Sequence, residues 1–139
     1  MKFKKKDIKY FLDLYKKMGV PKVDAEDNLK KLMRWVEDLP KKIILYRIIF
    51  VNSEDEIIRD RPGSHYMMDK EHLIDTHYIN IKNLPQGSEC YLLTVEADKK
   101  MIDQFQTIAT NIVYPSEKEI TLKNKGEGIN YIEHKKINE

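Results

Sequence analysis

Ile43-Ile44-Leu45-Tyr46-Arg47-Ile48-Ile49-Phe50-Val51 is the most apolar stretch of the chain, and a permanent cation stands at its centre. Eight of the nine residues are apolar or aromatic types that suit a strand. A continuous run of this length and β-branched content reads as a strand buried on both faces. Arginine keeps its charge there, so it must meet an anion or line a polar cleft. Downstream, Glu117-Lys118-Glu119 carries two carboxylates at alternate positions, which in a strand places both on one face. A cation inside one strand and paired carboxylates on another are the two features that need a joint explanation.

The sequence ahead of the run is helical in pattern. Ile8, Phe11, Leu12, Tyr15 and Met18 recur at helical spacing, and Gly19 and Pro21 stop the helix. A second helix is expected from Asp24 as N-cap, with Leu29, Leu32, Met33 and Val36 on its apolar stripe and Pro40 ending it. Residues 5–39 are therefore expected to form two helices burying Phe11, Leu12, Leu32 and Val36 on the sheet. Past Pro40 the pattern changes to strands. His65-Tyr66-Met67-Met68 reads as a short strand, with Asp69 capping a helix from Lys70 to about Asp75. Cys90 to Ala97 reads as another strand, and Asp98 to Ile108 as a short helix. Asn111 to Tyr114, Glu119 to Leu122 and Ile129 to Ile132 read as further strands, with Gly126 and Gly128 in the last turn. Helices first and sheet afterwards give an α+β class, divided into a helical segment 1–40 and a β-rich core 41–139.

The totals exclude several classes. The chain has 139 residues, enough for one domain with a real core, and 25 basic against 23 acidic residues leave a net charge of +2. Near-neutrality argues against a general nucleic-acid binder. Five lysines lie in the first nine residues, but Asp7 interrupts them and no apolar segment follows, so neither a signal peptide nor a membrane span is expected and the chain reads as cytoplasmic. One cysteine, Cys90, excludes an intrachain disulfide framework, and four histidines without ligand spacing indicate no metal site.

A strand holding Tyr46-Arg47, a short strand leading into a helix, and a late strand with Glu117-Lys118-Glu119 together resemble the ADP-ribosyltransferase family over roughly residues 41 to 137. The second motif of that family, usually Ser-Thr-Ser, would correspond to the stretch beginning His65-Tyr66-Met67. Tyr114-Pro115-Ser116 resembles the loop that approaches the acceptor. The resemblance implies a split, mainly antiparallel sheet and NAD as co-substrate, with no metal. It also implies transfer of mono-ADP-ribose to a protein acceptor, with an arginine side chain as the favoured target. Glu119 would then stabilise the developing ribosyl cation, and Glu117 would deprotonate the acceptor. Arg47 and Tyr46 would hold NAD, with His65 on a ribose hydroxyl in place of the missing serine and Tyr66 stacked near nicotinamide. The alternative is a catalytically inactive interaction module on the same fold. A nucleic-acid-binding α+β protein using the N-terminal lysines ranks lowest.

Overall fold

The computed structural model describes residues 2–138. Helices α1 (Lys5–Lys17) and α2 (Lys22–Glu37) lead into strand β1 (Lys42–Val51). Then come β2 (His65–Met67), α3 (Lys70–Thr76), α4 (Tyr78–Lys82), β3 (Glu89–Asp98), α5 (Gln104–Val113), β4 (Glu119–Thr121) and β5 (Asn130–Lys136). The strands form one antiparallel sheet in the order β4-β2-β1-β3-β5, so the fold is α+β. Its two halves are unequal. β1 and β3 pair along their whole lengths, from Lys42↔Asp98 to Val51↔Glu89. β2 and β4 pair over three positions, and β2 meets β1 only at Tyr46↔Met67. The β1–β2 junction therefore has the sparsest pairing in a sheet that is still continuous.

Helices cover both faces, in two separate cores. On one side α1, α2 and α5 pack Phe11, Leu29, Val36 and Ile108 onto Leu45, Val95 and Ile120. On the other, Leu73 of α3 joins Ile48, Met67, Cys90 and Leu92. Alternation along β1 sends Leu45 one way and Ile48 the other, as the pleat demands. The expectation that β1 is buried on both faces fails at two positions: Ile44 is 39% and Phe50 41% exposed. Both lie on the second face, where α3 has 7 residues and α4 only 5, so the cover runs out before the strand does. Arg47 is half-buried rather than sealed in the core. Cys90 is fully buried, and burial pushes its thiol pKa up to about 11, as suits a packing residue.

Other boundaries differ for local reasons. α2 starts two residues before Asp24, because Pro21 takes the N-cap with its carbonyl accepting from Ala25 N at 2.9 Å. Asp24 instead sits in the first turn, where its charge favours the helix dipole. Phe11 and Val36 are fully buried, but Leu12 and Leu32 are only half-buried at the margin of the core. The stretch Asn111-Ile112-Val113, read as a strand, is the last turn of α5. Asp103 caps that helix through Oδ1 on Gln106 N at 3.0 Å, and Thr107, Ile108, Asn111 and Ile112 are buried at helical spacing. Short β-branched runs do not separate helix from strand by periodicity alone. Helix α4 has no counterpart in the pattern read from the sequence.

Candidate functional site

A cleft of about 240 Å³ lies beside the β1–β2 junction. Arg47, His65, Tyr66, Glu117 and Glu119 all line it, so five of the six residues singled out in the sequence converge there. The sixth, Tyr46, does not. Its ring packs with the second core beneath Lys70 Nζ, 5.9 Å from the centroid.

Arg47 is held from three directions. Its Nη1 donates to His65 O at 3.0 Å, its guanidinium lies 6.0 Å from the Tyr66 ring centroid, and Gly63 packs against it. A Cβ on Gly63 would stand 2.6 Å from Arg47 Nε, and Gly63 has φ +128°, a conformation that L side chains rarely adopt. Gly63→Ala is therefore expected to cost about 1–3 kcal/mol in stability and to push the guanidinium off its bond to His65. Urea denaturation measures the first effect. A variant as stable as the wild type would show that Gly63 does not set this geometry.

Tyr66 does not offer a stacking surface. It is 1% exposed and belongs to the first core, and its hydroxyl donates to Gly63 O at 2.9 Å. Burial pushes its pKa up to about 12, against the lowering effect of Arg47, so the phenol remains a neutral donor. Its role is to support the Gly63 turn and the floor beneath Arg47.

Glu119 opens β4, and α5 fixes its backbone. Asn111 Nδ2 donates to Glu119 O at 2.7 Å, and Glu119 N donates to Asn111 Oδ1 at 3.1 Å. One turn away, Thr121 N donates to Thr107 Oγ1 at 3.0 Å and Asp103 N to Thr121 O at 2.8 Å. β4 is one of the two edge strands, and these groups satisfy polar atoms that a further strand would otherwise meet. Asn111 is 4% exposed, so Asn111→Ala leaves both groups of Glu119 without partners. An expected cost of about 2–4 kcal/mol follows, measurable by thermal or urea unfolding. A cost below about 0.5 kcal/mol, the size of an ordinary surface change, would refute the clamp.

The two carboxylates reach the cleft by a route other than strand alternation. Glu117 precedes β4 in a turn, with its N–H on Tyr114 O at 3.2 Å, and Lys118 has φ +45°. The left-handed residue breaks the pleat, so Glu117 and Glu119 share the cleft through a kink and not through a common strand face. Glu119 Oε1 lies 2.8 Å from His65 Nδ1, with side-chain exposures of 16% for Glu119 and 56% for His65. Of the pair, the histidine has the solvent access to move aside. Burial raises the Glu119 pKa, the Glu117 carboxylate adds to this, and His65 and Arg47 oppose it. A carboxylate with these neighbours suits stabilisation of a nearby positive charge.

Sequence reasoning missed Leu73, Thr76 and His77 on the cleft wall, and Asn111 and Gly63 behind it. Gly63 stood in an evident loop, but its approach to Arg47 depends on tertiary packing. Among the described residues no group of three or more His, Cys, Asp and Glu side chains is placed to hold a metal ion, and no helix is long and apolar enough to cross a membrane. Compared with family models, curated proteins and solved structures, the chain matches none.

Proposed function

We propose that the protein binds NAD in this cleft and transfers its ADP-ribose group to a protein acceptor, with an arginine side chain as the favoured target. The observation that carries this reading is the meeting of Arg47, His65 and Glu119 from three separate strands at one cleft. In its support, the strands around the cleft pair antiparallel, as a resemblance to ADP-ribosyltransferases implies. Cleavage of the ribose–nicotinamide bond builds positive charge on the ribose, as in glycoside hydrolysis. Glu119, oriented by Asn111, stabilises that charge and accepts from a ribose hydroxyl. His65, now on Glu119 Oε1, moves to the ribose as the substrate enters. Arg47 meets a phosphate oxygen with its planar fork. Glu117 takes a proton from the incoming guanidinium as the new bond forms.

NAD titration by calorimetry, with nicotinamide release measured with and without a cell extract, tests the reading. Saturable binding and release support it, and a protein that neither binds NAD nor releases nicotinamide refutes it. The second reading is an inactive module that keeps the cleft. In its favour, His65 already occupies Glu119 Oε1. NAD binding without any nicotinamide release would select it.

A further inference from the structure

Helices α1 and α2 line a groove of about 550 Å³ that shares no residue with the cleft. Its floor is apolar, with Ile8 and Leu12 from α1, Val20 from the turn and Ala25 from α2. Ala25 is buried and the other three are half-buried, so these side chains lie in a hollow and form no protruding ridge. The rim is basic. Lys5, Lys9 and Lys16 follow the apolar line along α1, and Lys22 joins them from α2. All four are exposed, and none takes part in an ion pair among the described residues. One acid, Asp13, shares the groove, so charge that nearly cancels over the whole chain does not cancel here. Lys5 and Lys9 also stand at i and i+4 of one helix, a like-charge pair that weakens the helix by itself. An anionic partner turns that repulsion into attraction.

The placement of these charges narrows the occupant. Lys5 and Lys16 stand at opposite ends of α1, about 16 Å apart along its axis. A fatty acid carries a single charge at one end and would leave most of this rim unpaired. A bilayer surface is broad and suits an apolar face that projects into it, not a floor recessed between two helices. Nucleic acid turns its phosphates outward and would leave Ile8, Leu12 and Val20 uncovered. An amphipathic helix with carboxylates flanking its apolar stripe matches floor and rim together along the whole groove.

We propose that the α1–α2 groove docks an acidic amphipathic helix of a partner protein. Its apolar stripe lies on Ile8, Leu12 and Val20, and its carboxylates meet Lys5, Lys9, Lys16 and Lys22. The inference stands apart from the NAD reading and does not depend on it. The test titrates the full chain, by fluorescence anisotropy, into a labelled peptide with leucine at i, i+3, i+4 and i+7 and glutamate at the flanking positions. A scrambled peptide of the same composition keeps the charge but loses the stripe. The ordered peptide is expected to bind saturably and about tenfold more tightly than the scrambled one. The double variant Lys5→Glu, Lys9→Glu is expected to weaken that binding about tenfold, and added salt to weaken it in the wild type. Lys5 opens α1, where an acid favours the helix dipole, so this variant should fold, and its melting temperature checks that. If it does not fold, Lys22→Glu on the other helix takes its place, with a loss of about threefold expected. Absence of saturable binding, equal binding of the two peptides, or wild-type affinity in the charge-reversed protein would overturn the proposal. Tighter binding to palmitate or to vesicles of anionic phospholipid than to the ordered peptide would overturn it in favour of a lipid occupant.

Discussion

Glu119→Gln is expected to lower nicotinamide release about 10²–10³-fold, the usual effect of removing one preorganised group that stabilises transition-state charge. Glutamine keeps the size of the side chain, and it keeps the backbone clamp, since Asn111 bonds the Glu119 N–H and C=O rather than the carboxylate. The substitution removes the charge, whose work in the proposed mechanism is done when the ribose becomes cationic. NAD affinity should therefore change far less than turnover. Single-turnover release alongside NAD titration separates the two. Release equal to that of the wild type would end the proposed mechanism, whatever the fold. Glu117→Gln should differ in kind, impairing transfer to an acceptor while slow NAD hydrolysis persists. That contrast follows from the proposed role of Glu117 as the group that deprotonates the acceptor.

Phe11→Ala is expected to cost about 3–5 kcal/mol, as for other buried aromatic truncations. Phe11 is 0% exposed and packs on Phe3, with centroids 5.3 Å apart, and on Phe105, at 4.9 Å. It joins α1 to α5, the helix that carries the Asn111 clamp. Against a domain stability of roughly 5–15 kcal/mol, this loss is a large fraction and should lower the melting temperature on the order of 10 °C. Leu32→Ala, at a half-buried site, is expected to cost less, about 1–2 kcal/mol. Urea denaturation of both variants checks the order. If Leu32→Ala proved the more costly, the core would not be centred on Phe11 as described. A chain starting at residue 40 loses this packing and should not retain cooperative unfolding.

Much of the fold was legible because its signals are local. The stripe through Phe11 and Tyr15, the Asp69 cap on His72 N and the β-branched run of β1 all depend on residues close in sequence. The α+β class followed from their order. The candidate site was legible as a set of residue types: a cation in a strand, a histidine in a short strand and paired carboxylates. Errors arose where a local pattern admitted two structures. Asn111-Ile112-Val113 has the composition of a strand, yet a helix buries Asn111 where it bonds β4. Glu117 and Glu119 have strand spacing, yet Lys118 turns left-handed between them.

The sequence by itself determined the class of the fold, most of its strands and helices, and five side chains of the cleft, because periodicity, capping chemistry and charge act over a few residues. Only the tertiary structure decided that β1 and β2 meet at a single pair and that a cleft lies beside that junction. It also excluded Tyr46 from that cleft, buried Tyr66 as a support, and brought Gly63, His77 and Asn111 to the site. These outcomes depend on which distant segments pack together. Such choices minimise the exposed apolar surface and unpaired polar groups of the whole chain, and no short window of sequence contains both partners.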